Sequence, residues 1–374
     1  MPITLDGTNG ITTPTYGGAD TSEYLVPVTQ FKNRIINGAM MIDQRNAGAS
    51  VNNAASANTF PVDRFAIYGD SASKVSGQRS TTAPTGFVNS VLLTSLAATT
   101  AGANDFYGFR QNIEGFNVSD LGWGTANAKT VTLSFWVRSS LTGTFSVSFS
   151  NNAANRAYVA NYVISVANTW EQKTISIAGD TTGTWTTDNT TGIGLWWDLG
   201  SGSNRAITGG AWSGTYGVKT SGSTNLVATN GATFYITGVQ LEVGSTATSF
   251  DYRPYGTELA LCQRYYYKVF PAENNKAYGN GTSVDSTSMY NLVPSPVTMR
   301  TTPSLQTTGT ASDYAIVRGG GSNTASNVVP VISDQCNSQV LQVIGYLSSG
   351  LSSGSSGWLR TNSTSSYLGF SAEL

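Results

Sequence analysis

Histidine is absent from all 374 residues. That absence removes the Ser-His-Asp triad, the Cys-His pair and every His-ligated zinc or iron centre. Cysteine occurs only as Cys262 and Cys336, too few for a Cys-only zinc or iron–sulfur site. A disulfide between them stays open but is not required, and the expectation is two free, buried thiols. Charge is also scarce: 11% of residues are ionic, where a typical globular chain has about 25%. The net charge is −1 and basic residues never cluster, which argues against nucleic acid or an anionic membrane as partner. No run of about 18 apolar residues occurs, so no transmembrane helix is expected. The start, Met1-Pro2-Ile3-Thr4-Leu5-Asp6, lacks the basic and apolar regions of a signal peptide. The expectation is synthesis in the cytosol without export by the general secretory route.

What is present is β-type sequence. With 39% hydrophobic and 11% aromatic residues, the chain can fill a large core and lacks the composition of a disordered protein. Residues 1–32 read as an extended arm. Asp6-Gly7-Thr8-Asn9-Gly10 carries two turn signals, Thr12-Thr13-Pro14-Thr15 opposes a helix, and no apolar heptad marks a coiled coil. Further on, residues 131–138 alternate, with Val131, Leu133, Phe135 and Val137 on one face. Residues 144–150 and 173–177 repeat the pattern, and 158–166, 194–199 and 233–243 read as further strands. Turns rich in Gly, Asn and Thr separate them. Short alternating strands of this kind predict an antiparallel sandwich or barrel. A short helix at 257–264, capped by Thr257, follows the linker Arg253-Pro254-Tyr255-Gly256. Strands then resume at 265–270, 289–293, 314–318, 327–332, 339–346, 358–361 and 367–370, with a Ser-rich loop at 347–357. The reading is three parts: arm 1–32, sandwich 33–256 and a smaller β domain 257–374.

Alternation also places candidate binding residues. With Leu133, Phe135 and Val137 inward, Trp136 and Arg138 point outward, and with Leu195, Trp197 and Leu199 inward, so do Trp196 and Asp198. An outward Trp beside an ionic side chain suits a sugar: the apolar ring face stacks on indole and the charge takes hydroxyls. The same composition suits a subunit contact. Trp185, Trp212 and Tyr216 lie in polar loops, where aromatics serve recognition or close the open end of a sandwich. Tyr265, Tyr266 and Tyr267 read as strand or core. Glu114, Glu171, Asp188, Asp198 and Glu242 are the carboxylates a glycosidase would draw on, needing two of them about 5–10 Å apart. None has a supporting signature, no short-rung β-helix repeat occurs, and no D-x-D-x-D-G loop marks a calcium site. The expectation is a protein without catalytic residues, metal or cofactor.

Several segments together resemble a known family. They are Asn33-Arg34-Ile35-Ile36-Asn37-Gly38-Ala39-Met40, Asp43-Gln44-Arg45, Val62-Asp63-Arg64-Phe65, Ile113-Glu114-Gly115, Leu121-Gly122-Trp123-Gly124-Thr125-Ala126, Leu133-Ser134-Phe135-Trp136-Val137-Arg138, Val239-Gln240-Leu241-Glu242-Val243-Gly244 and Cys262-Gln263-Arg264-Tyr265-Tyr266. In this order they resemble the carbohydrate-binding-type jelly roll of bacteriophage tail fibres and other virion appendages, over about residues 33–268. Val297-Thr298-Met299-Arg300-Thr301-Thr302-Pro303 and Ala372-Glu373-Leu374 are similar to the C-terminal domains of such fibres, and residues 3–11 to their N-termini. The resemblance implies a homotrimer on a virion, assembled in the host cytoplasm, joined to other virion proteins through the arm. It implies binding to host surface polysaccharide or lipopolysaccharide and transfers no catalytic residue. A purely structural connector or decoration subunit, or an endoglycosidase-type tailspike, are the alternatives.

Overall fold

Alternating side chains become antiparallel strands in the computed structural model, which describes residues 4–6, 10–12, 31–269, 273–319 and 321–374. In the arm, β1 (Thr4–Asp6) pairs with β2 (Gly10–Thr12), Thr4 opposite Thr12. The rest of the arm's turn and Thr13-Pro14-Thr15 lie outside the described residues.

The following strands are β3 (Val51–Asn52), β4 (Thr59–Val62), β5 (Phe65–Gly69), β6 (Val75–Ser80), β7 (Ser90–Ser95), β8 (Tyr107–Glu114), β9 (Val131–Ser139), β10 (Gly143–Ser150), β11 (Ala157–Ile164), β12 (Glu171–Ile177), β13 (Thr191–Asp198), β14 (Trp212–Ser213) and β15 (Thr233–Val243). They form a seven-stranded sheet, β14-β11-β10-β13-β8-β5-β4, and a six-stranded sheet, β12-β9-β15-β7-β6-β3. The result is the expected all-β jelly-roll sandwich. Between the sheets lie Leu133, Phe135 and Val137 of β9, Phe145, Val147 and Phe149 of β10, and Leu195 and Trp197 of β13, all buried. Phe135 meets Trp197 edge-on at 5.8 Å, and Phe65 stacks on Phe109 at 5.2 Å. Truncating one such ring costs about 3–5 kcal/mol.

The helix α1 (Tyr255–Gln263) starts two residues earlier than read. Pro254, not Thr257, is the capping position, because its fixed φ suits the entry to a helix. Beyond it are β16 (Tyr266–Val269), β17 (Ala277–Ser283), β18 (Ser288–Val293), β19 (Ser304–Gln306), β20 (Tyr314–Arg318), β21 (Asn323–Ala325), β22 (Val328–Ile332), β23 (Leu341–Tyr346), β24 (Ser356–Thr361) and β25 (Leu368–Ser371). A small sheet, β16-β25-β19, and a seven-stranded sheet, β21-β20-β24-β17-β18-β23-β22, share a core with Met289, Ile316, Val343, Leu359 and Phe370. The end of the strand read at 265–270 falls outside the described residues. Both cysteines are free and buried, Cys336 in this core and Cys262 against Ile36, Ile42 and Tyr265.

Residues 33–374 form one compact body, and an ionic network joins its two β cores. Arg45 bridges Asp63 (3.3 Å) and Glu373 (3.0 Å), and Arg64 pairs with the same Glu373. Arg64 also donates to Asn112 O (2.6 Å) and lies 3.5 Å over the Tyr265 ring. Arg264 grips Glu114 with two nitrogens (2.9 and 2.5 Å), and Tyr265 donates to the same carboxylate. Arg300 donates to the carbonyls of Asn189, Ala372 and Glu373.

Burial holds the Asp63 carboxyl up, from 3.8 to about 6, although Arg45 and the hydrogen bonds from Gln44 pull it down. The folded chain is then the greater proton binder between those values. This contribution to stability is fully present below about pH 4 and fades as pH rises through about 6. Its size is about 3 kcal/mol. The unfolding free energy of the natural chain, measured against Asp63→Asn, is expected to gain up to that amount between about pH 7 and about pH 4. A difference that does not move with pH would show Asp63 ionised throughout.

Candidate functional site

Three surfaces hold the aromatic and polar side chains that recognition needs. The first is the outer face of the seven-stranded sandwich sheet. Pairing aligns Ala66, Arg110, Trp196, Ser148 and Val159 in one row across β5, β8, β13, β10 and β11. Alternation places Trp196 and Asp198 on this face, as read, but neither is exposed: they are 5% and 1% accessible. Trp196 is enclosed by Tyr68 and Phe106, and Asp198 lies under the segment 199–224, which folds back over the sheet. Ser201 exchanges hydrogen bonds with the Tyr107 backbone, Thr220 N donates to Ser146 Oγ (3.2 Å), and Thr224 N donates to Thr144 O (2.7 Å). Asp198 accepts from the N–H groups of Gly200 and Ser201 and lies 3.9 Å from Lys219 Nζ; burial still raises its carboxyl above the usual range. It is a structural carboxylate that fastens the segment.

Trp196 lies over Gly108 of β8, where a Cβ would overlap the indole. Tyr68 (5.8 Å) and Phe106 (5.6 Å) pack against it. Phe106 in turn meets Tyr216 at 6.0 Å. Tyr216 therefore belongs to this group and not, as read, with Trp185 and Trp212.

Those two join a third indole at the end of the sandwich. Trp123, Trp185 and Trp212 meet edge-to-face at 4.8, 5.2 and 5.3 Å. Their N–H groups donate to Lys129 O, Thr182 O and Ala178 O. Arg156 clamps Asp180 with two bonds of 2.7 Å and so holds the loop that carries Trp185. With every indole donor satisfied and the rings packed on the core, this cluster closes the open end. A cavity of about 270 Å³ remains beside Trp123 and Trp185.

The second surface is the outer face of the six-stranded sheet. Trp136 and Arg138 stand half-buried there, opposite Thr237 and Tyr235 of β15. Arg138 lies 5.1 Å from the Tyr235 ring and donates to Asn168 O, and Trp170 packs against Tyr235 at 6.0 Å.

The third surface lies in the C-terminal sheet, which contributed no residue to the sequence candidates. Pairing aligns Val317, Trp358, Asn280, Leu292 and Gln342 across β20, β24, β17, β18 and β23. Beside that row runs Ser356, Thr282, Tyr290, Ile344 and Val331. Trp358 is 39% and Leu292 52% exposed. A groove of about 750 Å³ opens over the two rows, and Gln335 and Gln342 reach its lining. Among the described residues, no carboxylate or cation lines it. The period rule that placed Trp136 outward also places Trp358 outward, between buried Gly357 and Leu359.

The five carboxylates considered for catalysis are each committed elsewhere. Glu114 is held by Arg264, Glu171 by Lys173 at 2.5 Å, and Asp188 accepts from Thr190. Glu242 accepts from Gln240 and Thr248. Among the described residues, no three acidic or thiol groups come close enough to share a metal ion.

No protein-family model matches the sequence, and no curated protein matches it. Among solved structures, the chain is similar to the enzymatically active domain of tailspike protein 4 of bacteriophage CBA120 (13% identity, TM-score 0.29), with 57% of this chain and 22% of that one covered. The chain thus spans about a fifth of that tailspike's length. It is also similar to the family 11 carbohydrate-binding module of Clostridium thermocellum, in complex with a β-1,3-1,4-mixed-linked tetrasaccharide (12% identity, TM-score 0.28, 54% and 100% covered). A putative sugar-binding protein from Bacteroides thetaiotaomicron matches at 11% identity and TM-score 0.34, with 57% and 100% covered.

Proposed function

We propose that the chain is a non-catalytic attachment protein of a virion appendage, and that its C-terminal β domain, residues 257–374, takes a neutral saccharide from the host surface in the groove around Trp358. The observation that carries this reading is the groove's chemistry. An exposed indole and Tyr290 line one groove with Asn280, Thr282, Gln342 and Ser356. A neutral sugar presents an apolar ring face and a rim of hydroxyls. The ring face stacks on Trp358, and the amides both donate to and accept from the rim. A groove without ions favours hydroxyls over charged ligands. It also lacks the two carboxylates that glycoside hydrolysis needs, in keeping with a binding rather than a cleaving role.

A second reading draws on the same face. Leu292, Val331 and Val284 are exposed on or beside it, and apolar strand faces of this kind pack between subunits. In that case the chain is a connector or decoration subunit.

Trp358→Ala separates the two. Stacking on one indole is worth about 0.5–1.5 kcal/mol beyond its buried area, so a single groove binds weakly. A trimeric fibre multiplies this through effective concentration, by roughly 10²–10⁴. On the attachment reading, the variant loses adsorption to host cells and binding on a neutral-glycan array while melting and light scattering stay unchanged. On the connector reading, the variant changes oligomeric state and leaves adsorption intact.

The natural chain is expected to scatter light as a homotrimer and to release no oligosaccharide from capsule or lipopolysaccharide. A monomer at micromolar concentration sinks the assembly. Sugar release abolished by Glu114→Gln or Asp188→Asn sinks the non-catalytic reading.

A further inference from the structure

Arg110 sits in the middle of the outer row on the seven-stranded sandwich sheet, between Ala66 and Trp196. Its guanidinium lies 5.9 Å from the rings of both Tyr68 and Trp196. Among the described residues it is the one arginine that donates no hydrogen bond; the other twelve each reach a carboxylate, a carbonyl or an amide oxygen. It makes no ion pair, and the groups whose charge acts on it are the hydroxyls of Tyr216 and Tyr68, with no carboxylate among them. The side chain is half-buried, and burial pulls the guanidinium below the usual arginine range.

A half-buried cation with five donors and no acceptor carries a cost, because the part of its hydration that is lost is not repaid. The surroundings add donors and no counter-charge. Trp196 Nε1 is buried without a partner. Arg205 stacks 3.8 Å over Phe106 at the edge of the same aromatic group, with its Nε committed to Asn104 O. Tyr216, hydrogen-bonded to Ser150, and Tyr68 form half-exposed walls, and burial raises the Tyr216 hydroxyl against the pull of both arginines. Ser148 lies on the other side of Trp196 in the row, and Asn112 one position along β8 on the same face.

We propose that this patch is a subsite for an acidic sugar residue, in which Arg110 receives the sugar's carboxylate while Tyr68 and Tyr216 flank the ring. The planar fork of a guanidinium matches a carboxylate with two parallel N–H···O bonds, which an ammonium cannot reproduce. The tyrosines offer a ring face to stack on and a hydroxyl to exchange with the sugar's own. Phosphate and sulfate esters share the oxyanion but not the flat carboxylate, so the test separates them. The subsite does not rest on the groove around Trp358, which lies in the other β core.

The test is calorimetric titration of the full chain with an oligogalacturonate, with the same oligosaccharide after its carboxyls are reduced to alcohols, and with a sugar phosphate. The natural chain is expected to bind the acidic oligosaccharide at least about tenfold tighter than the reduced one. Arg110→Gln is expected to abolish that preference, and Arg110→Lys to restore little of it. Trp358→Ala should leave it intact. Equal binding of the acidic and reduced forms, or no binding of the acidic form, overturns the proposal. So does a preference for the sugar phosphate, or a preference unchanged in Arg110→Gln. The comparison of ligands on the natural chain decides the matter even if a variant fails to fold.

Discussion

Glu373 is the residue on which the arrangement of the two β cores depends. It lies next to the last position of the sequence, yet Arg45 and Arg64 of the sandwich both end on its carboxylate, and Arg300 holds its carbonyl. A buried ion pair adds little net stability, since desolvation offsets attraction, but removing one partner costs about 3–5 kcal/mol because the other is stranded. The network therefore acts mainly as a specification. It closes when β25, α1 and the end of β8 at Asn112 and Glu114 reach one another, and it penalises any other docking of the second core. Arg264 with Glu114 repeats the device a few residues away.

This explains what several family-like segments do. Asp43-Gln44-Arg45, Val62-Asp63-Arg64, Ile113-Glu114, Cys262 to Tyr266 and Ala372-Glu373-Leu374 are far apart in sequence and meet at the junction. Gln44 binds Asp63 and the Tyr266 carbonyl, and the Arg45 guanidinium stacks 3.5 Å over the Tyr266 ring. Their chemistry is that of a hinge locked shut, with ions turned toward one another and away from solvent. A resemblance carried by such residues speaks for the architecture and leaves the ligand to be read elsewhere.

Much of the architecture was legible because apolar and polar residues alternate from Val131 onward; β15 and β20 begin and end where the pattern says, although a bulge between Thr237 and Gln240 shifts the inward face of β15. Legibility failed where polar residues were buried with their own partners. In β8, Gln111 faces the core and both binds and is bound by the Ile36 backbone, so the apolar rhythm of Tyr107, Phe109 and Ile113 is broken by an amide. The candidate site failed for a different reason. Alternation says which face a side chain takes, but not whether a later segment covers that face. Trp196 and Asp198 were placed correctly, but Trp196 is covered by Tyr68 and Phe106 and Asp198 by residues 199–224, whereas Trp136, by the same rule, stayed half-open. Trp358 lies beyond a Ser- and Gly-rich loop, where one strand of six residues gives the pattern little room to speak.

The scarcity of charge now has a structural meaning. Several of the chain's ions are spent internally: on the junction, on the Asp180 clamp and on the Asp198–Lys219 contact under the covering segment. An ion held by a neighbour is a poor receptor for a ligand, since binding must first break the existing pair. On the proposed reading, recognition falls to groups the fold has left without a partner, and these are of two kinds. The Trp358 groove offers stacking and amides with no field, so the proposed hold on a neutral sugar would be insensitive to salt. Arg110 offers one unspent cation behind aromatic walls, where water is partly excluded and screening is weak. A surface with few charges makes such an arginine more selective, because no carboxylate among the groups acting on it competes with a ligand's oxyanion.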